Sequence, residues 1–343
     1  MTDIHPLLEQ LYAGHSLSRR QTQALFTPLI AGELSEAAIS ALLVALKIKG
    51  ETIDEISGAA DALLAAAKPF PQSGSGVIDI VGTGGDGHNT INISTTACFV
   101  AAAAGAKVAK HGNRGVSSKS GASDLLSALG IKLTMSPDTA ARCLRQLGIC
   151  FLFAPHYHGG VRHVVPVRQV LKTRTLFNVL GPLINPSRPD YMLLGVYSPE
   201  LVTPIAGVLQ ALGVKRAMVV HGAGLDEVAI HGETLVAELQ QGHIREYGLT
   251  PSSFGVASAS INDLVGGTPQ DNAAITQAIL RGQGTQAQRN AVAVNAACAL
   301  YISGQAADLP TATELALHTL DSGRAATLVQ QLAAESQLEI PHE

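Results

Sequence analysis

The sequence predicts an α/β protein that consists of a small N-terminal helical domain and a large α/β domain with a mostly parallel central sheet. In residues 4–68 the apolar residues recur at helical spacing, whereas from residue 77 onward short β-branched runs alternate with helical patterns. Such alternation favours a parallel sheet with helices on both faces. With 343 residues, 46% of them apolar, the chain is long enough to form both domains.

Helix starts and a linker define the N-terminal region. Ser18 with Gln21, and Thr52 with Glu55, match the capping box that begins a helix. Residues 69–76 are rich in Pro, Gly and Ser, which predicts a linker.

Strands and helices alternate beyond this linker. The predicted strands are 77–81, 107–109, 131–134, 150–154, 192–197 and 217–221, and the predicted helices are 94–104, 121–129, 137–147, 199–212, 287–301 and 311–336. Residues 248–267 are expected to be irregular, and no chemistry is assigned to the chain from residue 248 onward.

A glycine-rich, polar turn follows the first predicted strand. Glycine occupies four of the six positions 82–87, and polar residues then lead into an apolar helix that begins near Ser94. Glycines let the backbone approach a ligand, and Ser94 and Thr95 add hydroxyl groups at the positive end of the helix. The spacing matches neither the Walker pattern nor Gly-x-Gly-x-x-Gly, but the order of strand, loop and helix is typical of a phosphate site.

A second polar loop follows the next strand. Residues 107–118 place Lys110, His111, Asn113 and Arg114 among glycines and serines. A lysine point charge and an arginine fork are suited to a polyanion such as a diphosphate. Because ligands of open α/β sheets bind at the carboxyl ends of strands, we expect the two loops to share one ligand.

Acidic and histidine-rich segments provide further candidate groups. Asp226 and Glu227 are adjacent carboxylates after a predicted strand, and such a pair either diverges into solvent or shares a cation. Together with the phosphate motifs, they favour Mg²⁺ held by both carboxylates, Ser94 and substrate phosphates. Residues 156–163 contain three histidines without an acidic neighbour, which favours the wall of an organic-acid pocket over a zinc site.

Composition argues against several other classes of protein. The formal net charge is −4, aromatic residues make up 4% and Trp is absent, whereas nucleic-acid binders more often show a basic excess and stacking rings. The cysteines are far apart, which is typical of buried thiols in a reducing compartment. Residues 1–6 do not resemble a secretory signal, and the longest apolar stretch, 97–104, is too short to span a bilayer. We therefore expect a cytoplasmic protein that binds neither nucleic acid nor a membrane.

Ordered motifs over nearly the whole chain resemble the anthranilate phosphoribosyltransferase family. They are Gly-Thr-Gly-Gly-Asp at 82–86, Asn-Ile-Ser-Thr at 92–95, Lys-His-Gly-Asn-Arg at 110–114, Arg-Thr-Leu-Phe-Asn-Val-Leu-Gly-Pro-Leu-Ile-Asn-Pro at 174–186, and the Asp-Glu pair at 226–227. The resemblance implies transfer of the phosphoribosyl group of 5-phosphoribosyl 1-diphosphate to the amine of anthranilate. The products would be N-(5-phosphoribosyl)anthranilate and diphosphate, in the second step of tryptophan biosynthesis from chorismate.

The same resemblance implies a nucleoside phosphorylase/phosphoribosyltransferase-like fold with two Mg²⁺ ions per subunit. It also implies a homodimer that forms through the small helical domain. We expect that domain to comprise residues 1–70 and about 163–188, and the large domain to comprise residues 71–162 and 189–343.

The resemblance further implies a set of ligand-binding residues. No nucleophile, acid or base is assigned, because displacement at an anomeric carbon requires stabilisation of the leaving diphosphate and positioning of the amine. The residues implied for 5-phosphoribosyl 1-diphosphate are Gly82, Gly85, Asp86, Thr90, Asn92, Ile93, Ser94, Thr95, Lys110, His111, Gly112, Asn113, Arg114, Gly115, Val116, Ser117, Ser118 and Ala122. Those for anthranilate are Gly82, Asn113, Arg168, His111, His158, Gly181 and Pro182, and those for Mg²⁺ are Ser94, Asp226 and Glu227.

Two segments depart from the family pattern. The usual Gly-Ser-Ala-Asp is here Gly-Ala-Ser-Asp at 121–124, so that Ala122 lacks a hydroxyl group, although a backbone contact remains available. The commoner His-x-Ala-Met is here His-Gly-Gly-Val at 158–161, which alters the shape expected for the anthranilate channel.

Two other functions remain as alternatives. A pyrimidine nucleoside phosphorylase shares the helical and α/β plan, but usually has a longer chain and Lys-His-Ser where this chain has Lys-His-Gly at 110–112. A non-catalytic relative that keeps the fold and binds nucleic acid is disfavoured by the acidic balance and the intact Asp226-Glu227 pair, and salt-sensitive binding to single-stranded DNA would favour it.

Overall fold

A seven-stranded sheet lies at the centre of the computed structural model, which describes residues 4–71, 74–115 and 119–338. Its strands are β1 (Val77–Gly82), β2 (Lys107–Gly112), β3 (Ile149–Phe153), β4 (Tyr191–Gly195), β5 (Arg216–Gly222), β6 (Thr234–Gln240) and β7 (His243–Leu249). They lie in the order β3-β2-β1-β4-β5-β6-β7. The first five strands are parallel, and β6 is antiparallel to both of its neighbours. The prediction of a mostly parallel sheet is confirmed.

Helices precede the sheet and cover both of its faces. They are α1 (His5–Tyr12), α2 (Arg19–Ala31), α3 (Glu36–Lys49), α4 (Ile53–Ala65), α5 (Ile93–Ala103), α6 (Ala122–Ala128), α7 (Pro137–Leu147), α8 (Ala154–Tyr157), α9 (Val165–Leu171), α10 (Phe177–Leu183), α11 (Val202–Ala211), α12 (Pro269–Leu280), α13 (Gln286–Ile302), α14 (Leu309–Asp321) and α15 (Arg324–Gln337). Short 3₁₀ turns occur at Gly159–His163, Pro199–Leu201, Pro251–Phe254 and Ile261–Leu264.

The order of the strands reverses beside β1. The chain continues from β1 to β2 on one side, whereas β4 lies on the other side, where Gly82 pairs with Gly195. Ligands of open α/β sheets bind at the carboxyl ends of strands where the order reverses. The glycine-rich turn after β1 therefore begins at the position that this topology favours for a ligand.

Both predicted capping boxes are present among the N-terminal helices. The Ser18 N–H donates to Gln21 Oε1 at 2.9 Å, and the Thr52 N–H donates to Glu55 Oε2 at 2.9 Å. Glu55 is fully buried and also accepts a hydrogen bond from Lys49 Nζ at 2.8 Å. This cap therefore also joins the end of α3 to the start of α4.

The two faces of the sheet belong to two apolar clusters. Side chains alternate along β4, so that Met192 and Leu194 pack with α1–α4 and α9–α11, whereas Leu193 packs with α5–α7 and α12–α15. The cluster on the first side includes Phe177 and Leu180, from the segment 163–188 that was expected to join the helical domain.

Two local predictions differ from the structure, and one pair of strands was not predicted. Residues 131–134 form no strand but connect α6 to α7, and the Lys132 N–H donates to Ser336 Oγ at 3.0 Å rather than to a neighbouring strand. The predicted helix 311–336 is divided at Gly323, whose φ of +69° ends α14 before α15. The hairpin β6–β7 was not predicted, although Gln241 and Gly242 both have positive φ and form the two-residue turn that joins such strands.

Two findings concern the cysteines and the helix lengths. Cys98, Cys143, Cys150 and Cys298 are all buried as free thiols, as predicted. Over the described ranges, no helix has both the length and the apolar character needed to cross a bilayer.

Candidate active site

The carboxyl ends of β1 and β4 lie side by side, and the loop after β5 crosses them. Gly82 pairs with Gly195, and Asp226 lies against both glycines. A Cβ atom at Gly82 would lie 2.2 Å from Asp226 Oδ2, and one at Gly195 would lie 1.6 Å from the Asp226 carbonyl oxygen. Glycine at both positions therefore allows the loop after β5 to place its carboxylate at the strand ends.

The turn after β1 is held by partners on two sides. Gly84 and Gly85 have φ values of +69° and +80°, which other residues rarely adopt. The Gly84 N–H donates to Asp226 Oδ2 at 2.6 Å, and Arg174 donates to the Gly85 carbonyl oxygen. The Arg174 guanidinium lies 3.9 Å from the centre of the Tyr197 ring. The turn is thus fixed in a conformation that depends on glycine.

Glu227 caps α5 in place of the residue at the helix's own N-cap position. Glu227 Oε1 accepts hydrogen bonds from the Ser94 N–H, at 3.1 Å, and from the Ser94 hydroxyl group. Asn92 occupies the N-cap position, but its side chain makes no capping bond. A helix N-terminus favours negative charge, which stabilises the Glu227 carboxylate at this position. The loops after β1 and β5 therefore meet at the start of α5.

The carboxylates at this position are buried and close together. Burial raises the pKa of Asp226 well above its usual value, and the neighbouring Glu227 and Asp86 raise it further. Burial also raises the pKa of Glu227, an effect opposed by the hydrogen bonds from Ser94 and by the charge of Lys110. A bound cation would offset the repulsion that these carboxylates experience when they ionise.

The oxygen donors of this cluster fit Mg²⁺. Asp226, Glu227 and Ser94 offer carboxylate and hydroxyl oxygens, which are hard ligands. Across the described residues, no group of three or more His, Cys, Asp or Glu side chains is arranged to hold a metal ion alone. Mg²⁺ commonly binds through one or two carboxylates together with water and substrate phosphates. The residues therefore fit a cation that is shared with a phosphate-bearing ligand.

The loop after β2 is closed by Asp124, which sequence reasoning did not select. Its Oδ2 accepts hydrogen bonds from the N–H groups of Gly115 and Gly121, each at 3.0 Å, and its Oδ1 lies 3.3 Å from Arg114 Nη1. A Cβ atom at Gly121 would lie only 2.1 Å from Gly115 N. The carboxylate therefore gathers backbone donors around the start of α6.

Neutral histidines lie beside α10 at the end of β2. His111 Nδ1 lies 3.1 Å from the Gly181 carbonyl oxygen, and the rings of His111 and His158 are 5.2 Å apart. Burial lowers the pKa of His111 to about 3 and also lowers the pKa of His158. His111 Nε2 has no hydrogen-bond partner among the described residues. Both rings are therefore neutral at pH 7, and His111 retains a polar atom for a ligand.

Arg168 lies near the same helix with its charge uncompensated. Its guanidinium carbon is 5.8 Å from the centre of the Phe177 ring, at the start of the helix that contains Gly181 and Pro182. Desolvation lowers the pKa of Arg168, and no carboxylate pairs with it in the part of the chain that the structure describes. A half-buried guanidinium without an acidic partner is suited to bind the carboxylate of a ligand.

Two family models match the chain. The helical bundle domain of a glycosyl transferase family matches residues 5–67, and the a/b domain of a glycosyl transferase family matches residues 74–326. A relative from Shewanella sp. (strain W3-18-1), named anthranilate phosphoribosyltransferase, is 70% identical over 338 residues, which are 97% of either chain. The chain belongs to the anthranilate phosphoribosyltransferase family. Its reaction is the transfer of the phosphoribosyl group of 5-phosphoribosyl 1-diphosphate to anthranilate, in tryptophan biosynthesis.

Solved structures of this family have the same architecture. The anthranilate phosphoribosyltransferase of Thermus thermophilus matches with a TM-score of 0.92 and 41% identity, over 96% of this chain and 99% of that one. The enzyme of Saccharomyces cerevisiae in complex with PRPP and Mg matches with a TM-score of 0.89 and 28% identity, over 97% of this chain and 98% of that one. The fold expected from the resemblance is therefore confirmed.

The residues implied by the family motifs differ in what they can offer a ligand. Ile93 is buried and its N–H already donates to the Ile91 carbonyl oxygen at 2.8 Å, so it offers packing rather than a free donor. Lys110 is buried and donates to the Ile80 carbonyl oxygen at 2.6 Å. Val116, Ser117 and Ser118 lie outside the described residues.

The remaining residues of this set lie on the same loops or helix starts. Thr90 forms an antiparallel bridge with Val265. Thr95 is buried in the first turn of α5. Ala122 begins α6, and its methyl group would lie 3.2 Å from a Cβ atom at Gly112, which ends β2.

Buried polar residues beneath the site were missed because they stand alone in apolar sequence. Asp79 lies in the middle of β1, fully buried, and accepts a hydrogen bond from Asn185 Nδ2 at 2.8 Å. Burial raises the pKa of Asp79 to about 6, although the charge of Lys110 opposes the shift. The carboxylate within an otherwise apolar strand, and the asparagine within the motif 174–186, were the signals available. Together they tie α10 to β1 below the histidines.

Proposed function

We propose that phosphoribosyl transfer takes place at the carboxyl ends of β1, β2, β4 and β5, with the diphosphate on the glycine loop and anthranilate between α9 and α10. The observation that carries this proposal is the convergence of Asp226 and Glu227 on the glycine turn and on the start of α5. It supports one polyanion site built from separate loops, since each carboxylate bonds to a backbone N–H of the phosphate motif.

Backbone N–H groups and the start of α5 bind the phosphates in this proposal. The turn 82–86 presents its N–H groups with the positive φ angles of Gly84 and Gly85, and Ser94 lies in the first turn of the helix. Such groups stabilise the negative charge that develops on a departing diphosphate. The loop after β2 adds Asn113 and the exposed Arg114 as further donors.

Asp226, Glu227 and Ser94 would hold Mg²⁺, with two ions per subunit. When bound, the ions neutralise charge on the diphosphate leaving group. The raised pKa values of both carboxyl groups support this assignment, because such a site is unfavourable for two unpaired charges.

Arg168 binds the carboxylate of anthranilate, and the neutral rings of His111 and His158 line the way to the reacting amine. The C1–N bond forms as the bond from C1 to the diphosphate oxygen breaks, with positive charge developing on the ribose ring. The aniline nitrogen is neutral at pH 7 and attacks without prior deprotonation, so the positively charged nitrogen that results loses its proton to water after attack. No residue is therefore assigned as nucleophile or general base.

A fluorescence assay tests the proposed function. Anthranilate fluorescence is expected to fall when the protein is added with 5-phosphoribosyl 1-diphosphate and Mg²⁺, and EDTA is expected to stop the loss. Omission of either substrate is the control. An unchanged signal, combined with phosphate-dependent release of a base from a pyrimidine nucleoside, would instead favour a phosphorylase.

The helical domain is proposed to comprise residues 1–70 and about 163–188, and to form a homodimer. In support, α3 and α9 pack together and expose Ile48 and Val170, each 81% accessible. Val165 and Tyr12 are exposed on α9 and the neighbouring α1. Exposed apolar side chains on adjacent helices are typical of an interface.

The protein is proposed to be cytoplasmic. Four buried free thiols support this location, since free thiols are typical of a reducing compartment.

Charges introduced on this face are expected to produce a monomer. In the double variant Ile48→Glu with Val170→Glu, two carboxylates would be buried at the interface, which is unfavourable without partners. Sedimentation velocity should show a dimer for the unaltered chain and a monomer for the double variant. Leu338→Glu, at an exposed position after α15, serves as control and should remain dimeric. Dimers in the double variant would place the interface elsewhere.

A further inference from the structure

A segment from the C-terminal half of the chain runs along residues 89–91, which connect the glycine-rich turn at 82–87 to α5. The Ile91 N–H donates to the Leu264 carbonyl oxygen at 2.8 Å, and the Gly266 N–H donates to the Asn89 carbonyl oxygen at 2.7 Å. These bonds form an isolated antiparallel bridge outside the central sheet. The segment 264–267 leads directly into α12, which packs on α5.

Asn272, on α12, continues this contact with its side chain. It is 1% exposed, and its Nδ2 donates to Asn92 Oδ1 at 2.8 Å. Its Oδ1 accepts from the Gly267 N–H at 2.8 Å. Because a backbone N–H can only donate, the Asn272 oxygen must face Gly267, and its amino group must therefore face Asn92.

The orientation of the Asn92 amide follows from its partners. Its Nδ2 donates to the Ser120 carbonyl oxygen at 3.0 Å, and its Oδ1 accepts from both Asn272 and the Ser120 hydroxyl group, the latter at 3.2 Å. Both lone pairs of the oxygen are then in use, whereas one N–H of the half-buried amide has no partner among the described residues. Asn92 can thus offer a ligand a donor and no acceptor.

We propose that Asn272 is a positioning residue for phosphoribosyl transfer, which holds the Asn92 amide with its remaining N–H toward the oxygens of 5-phosphoribosyl 1-diphosphate. This inference rests on the proposed function, in which Asn92 contacts that substrate. The chain of bonds from the Gly267 N–H through Asn272 and Asn92 to the Ser120 carbonyl has its direction fixed by a backbone group at each end. It also joins the loops after β1 and β2 through a helix that binds neither substrate.

The variant Asn272→Asp replaces the amide donor that faces Asn92 by a carboxylate acceptor of nearly the same shape. One carboxylate oxygen still accepts from Gly267, but the other faces Asn92 Oδ1, so that two acceptors oppose each other. If the Asn92 amide turns to avoid this, its carbonyl oxygen faces Ser120 O and its donor is lost to the substrate. A buried polar mismatch of this kind is expected to raise the KM for 5-phosphoribosyl 1-diphosphate about tenfold, with less than about a twofold change in the KM for anthranilate.

Thr276→Val is the matched control, one helical turn further along α12. Its hydroxyl oxygen lies 3.1 Å from Thr96 Oγ1, four residues after Asn92, so the variant removes a comparable buried contact between the same helices. We expect it to leave the KM for 5-phosphoribosyl 1-diphosphate within about twofold, because it does not contact the Asn92 amide.

Calorimetric titration with 5-phosphoribosyl 1-diphosphate and Mg²⁺, in the absence of anthranilate, provides a second readout. Asn272→Asp should weaken this binding about tenfold, and Asn272→Ala, which removes the contact with a smaller side chain, should weaken it in the same direction. Equal effects of the Asn272 and Thr276 variants, or a defect that affects both substrates alike, would overturn the inference. Turnover by the unaltered chain tests the proposed function separately, so failure of one is distinguishable from failure of the other.

Discussion

Replacement of Asp226 by asparagine is expected to lower kcat/KM for 5-phosphoribosyl 1-diphosphate by about 10² to 10³, the usual effect of removing one preorganised electrostatic contact. The amide can keep a contact to the Gly84 N–H, since its oxygen can occupy the position of Asp226 Oδ2. The variant therefore preserves the shape of the turn while it removes a negative charge. The Mg²⁺ concentration needed for half-maximal rate should rise at the same time.

The same substitution is expected to stabilise the protein in the absence of Mg²⁺. The pKa of Asp226 in the folded protein is raised by burial and by Glu227 and Asp86, so its stabilising contribution is present below about pH 4 and is lost as the pH rises through the raised value. Asparagine does not ionise. In EDTA, the melting temperature of the unaltered chain should therefore fall with rising pH more steeply than that of Asp226→Asn.

In the presence of Mg²⁺ and diphosphate, the unaltered chain should have a higher melting temperature than Asp226→Asn. Together the two ligands are expected to raise the melting temperature of the unaltered chain, since a ligand that binds the folded state stabilises it, and to raise that of the variant far less. Asp263→Asn, at an exposed carboxylate that caps a 3₁₀ turn, serves as control. The metal assignment would be wrong if Asp226→Asn kept the Mg²⁺ dependence of the unaltered chain.

The residues that could be predicted from sequence are those whose signal is local. Glycines after a β-branched strand, and charges after the next strand, mark loops at strand ends, and the structure places Gly82 and Asp226 in contact there. The capping boxes at Ser18 and Thr52 are likewise short-range patterns, and both are present. Each of these features requires only a few neighbouring residues and a general rule of backbone geometry.

The supporting residues depend on contacts that no short segment reveals. Asn272 lies 180 positions after Asn92, and an asparagine near the start of a helix is equally compatible with exposure to solvent. Asn295, fully buried on α13, donates to the Val228 carbonyl oxygen and accepts from the Val228 N–H, each at 3.0 Å. That contact fixes the backbone beside Glu227, yet the sequence around Asn295 indicates only a buried helix.

This difference explains why no chemistry was assigned to the chain after residue 248. Its predicted helices carry no cluster of charged residues, so their pattern indicates only cover for the sheet. In the structure, α12 and α13 also bond to the two loops that carry Asn92 and Glu227. The two loops of the candidate site are therefore recognisable from local sequence, whereas their positions depend on buried amides that are distant in sequence.

Replacement of Arg168 by alanine is expected to raise the KM for anthranilate by about 30- to 1000-fold, equivalent to about 2–4 kcal/mol, with little change in the KM for 5-phosphoribosyl 1-diphosphate. The guanidinium is half-buried above Phe177 and has no acidic partner among the described residues. A carboxylate that binds there would gain charge-assisted hydrogen bonds in a partly desolvated position. Arg145→Ala, at an exposed position near the end of α7, should change neither KM.

A substrate without the carboxylate separates recognition from structure. The amide of 2-aminobenzamide carries no charge. The KM for this compound should differ by less than about threefold between the unaltered chain and Arg168→Ala, because neither protein can form the ion pair with it. The KM of Arg168→Lys for anthranilate should lie between those of the unaltered chain and Arg168→Ala, since an ammonium keeps the charge but cannot form the two parallel hydrogen bonds of a guanidinium. Two results would contradict this role. Arg168→Ala could raise the KM for anthranilate and the KM for 5-phosphoribosyl 1-diphosphate equally, or it could lose as much activity with 2-aminobenzamide as with anthranilate. Arg168 would then act by holding α9 against α10, and the carboxylate would bind elsewhere.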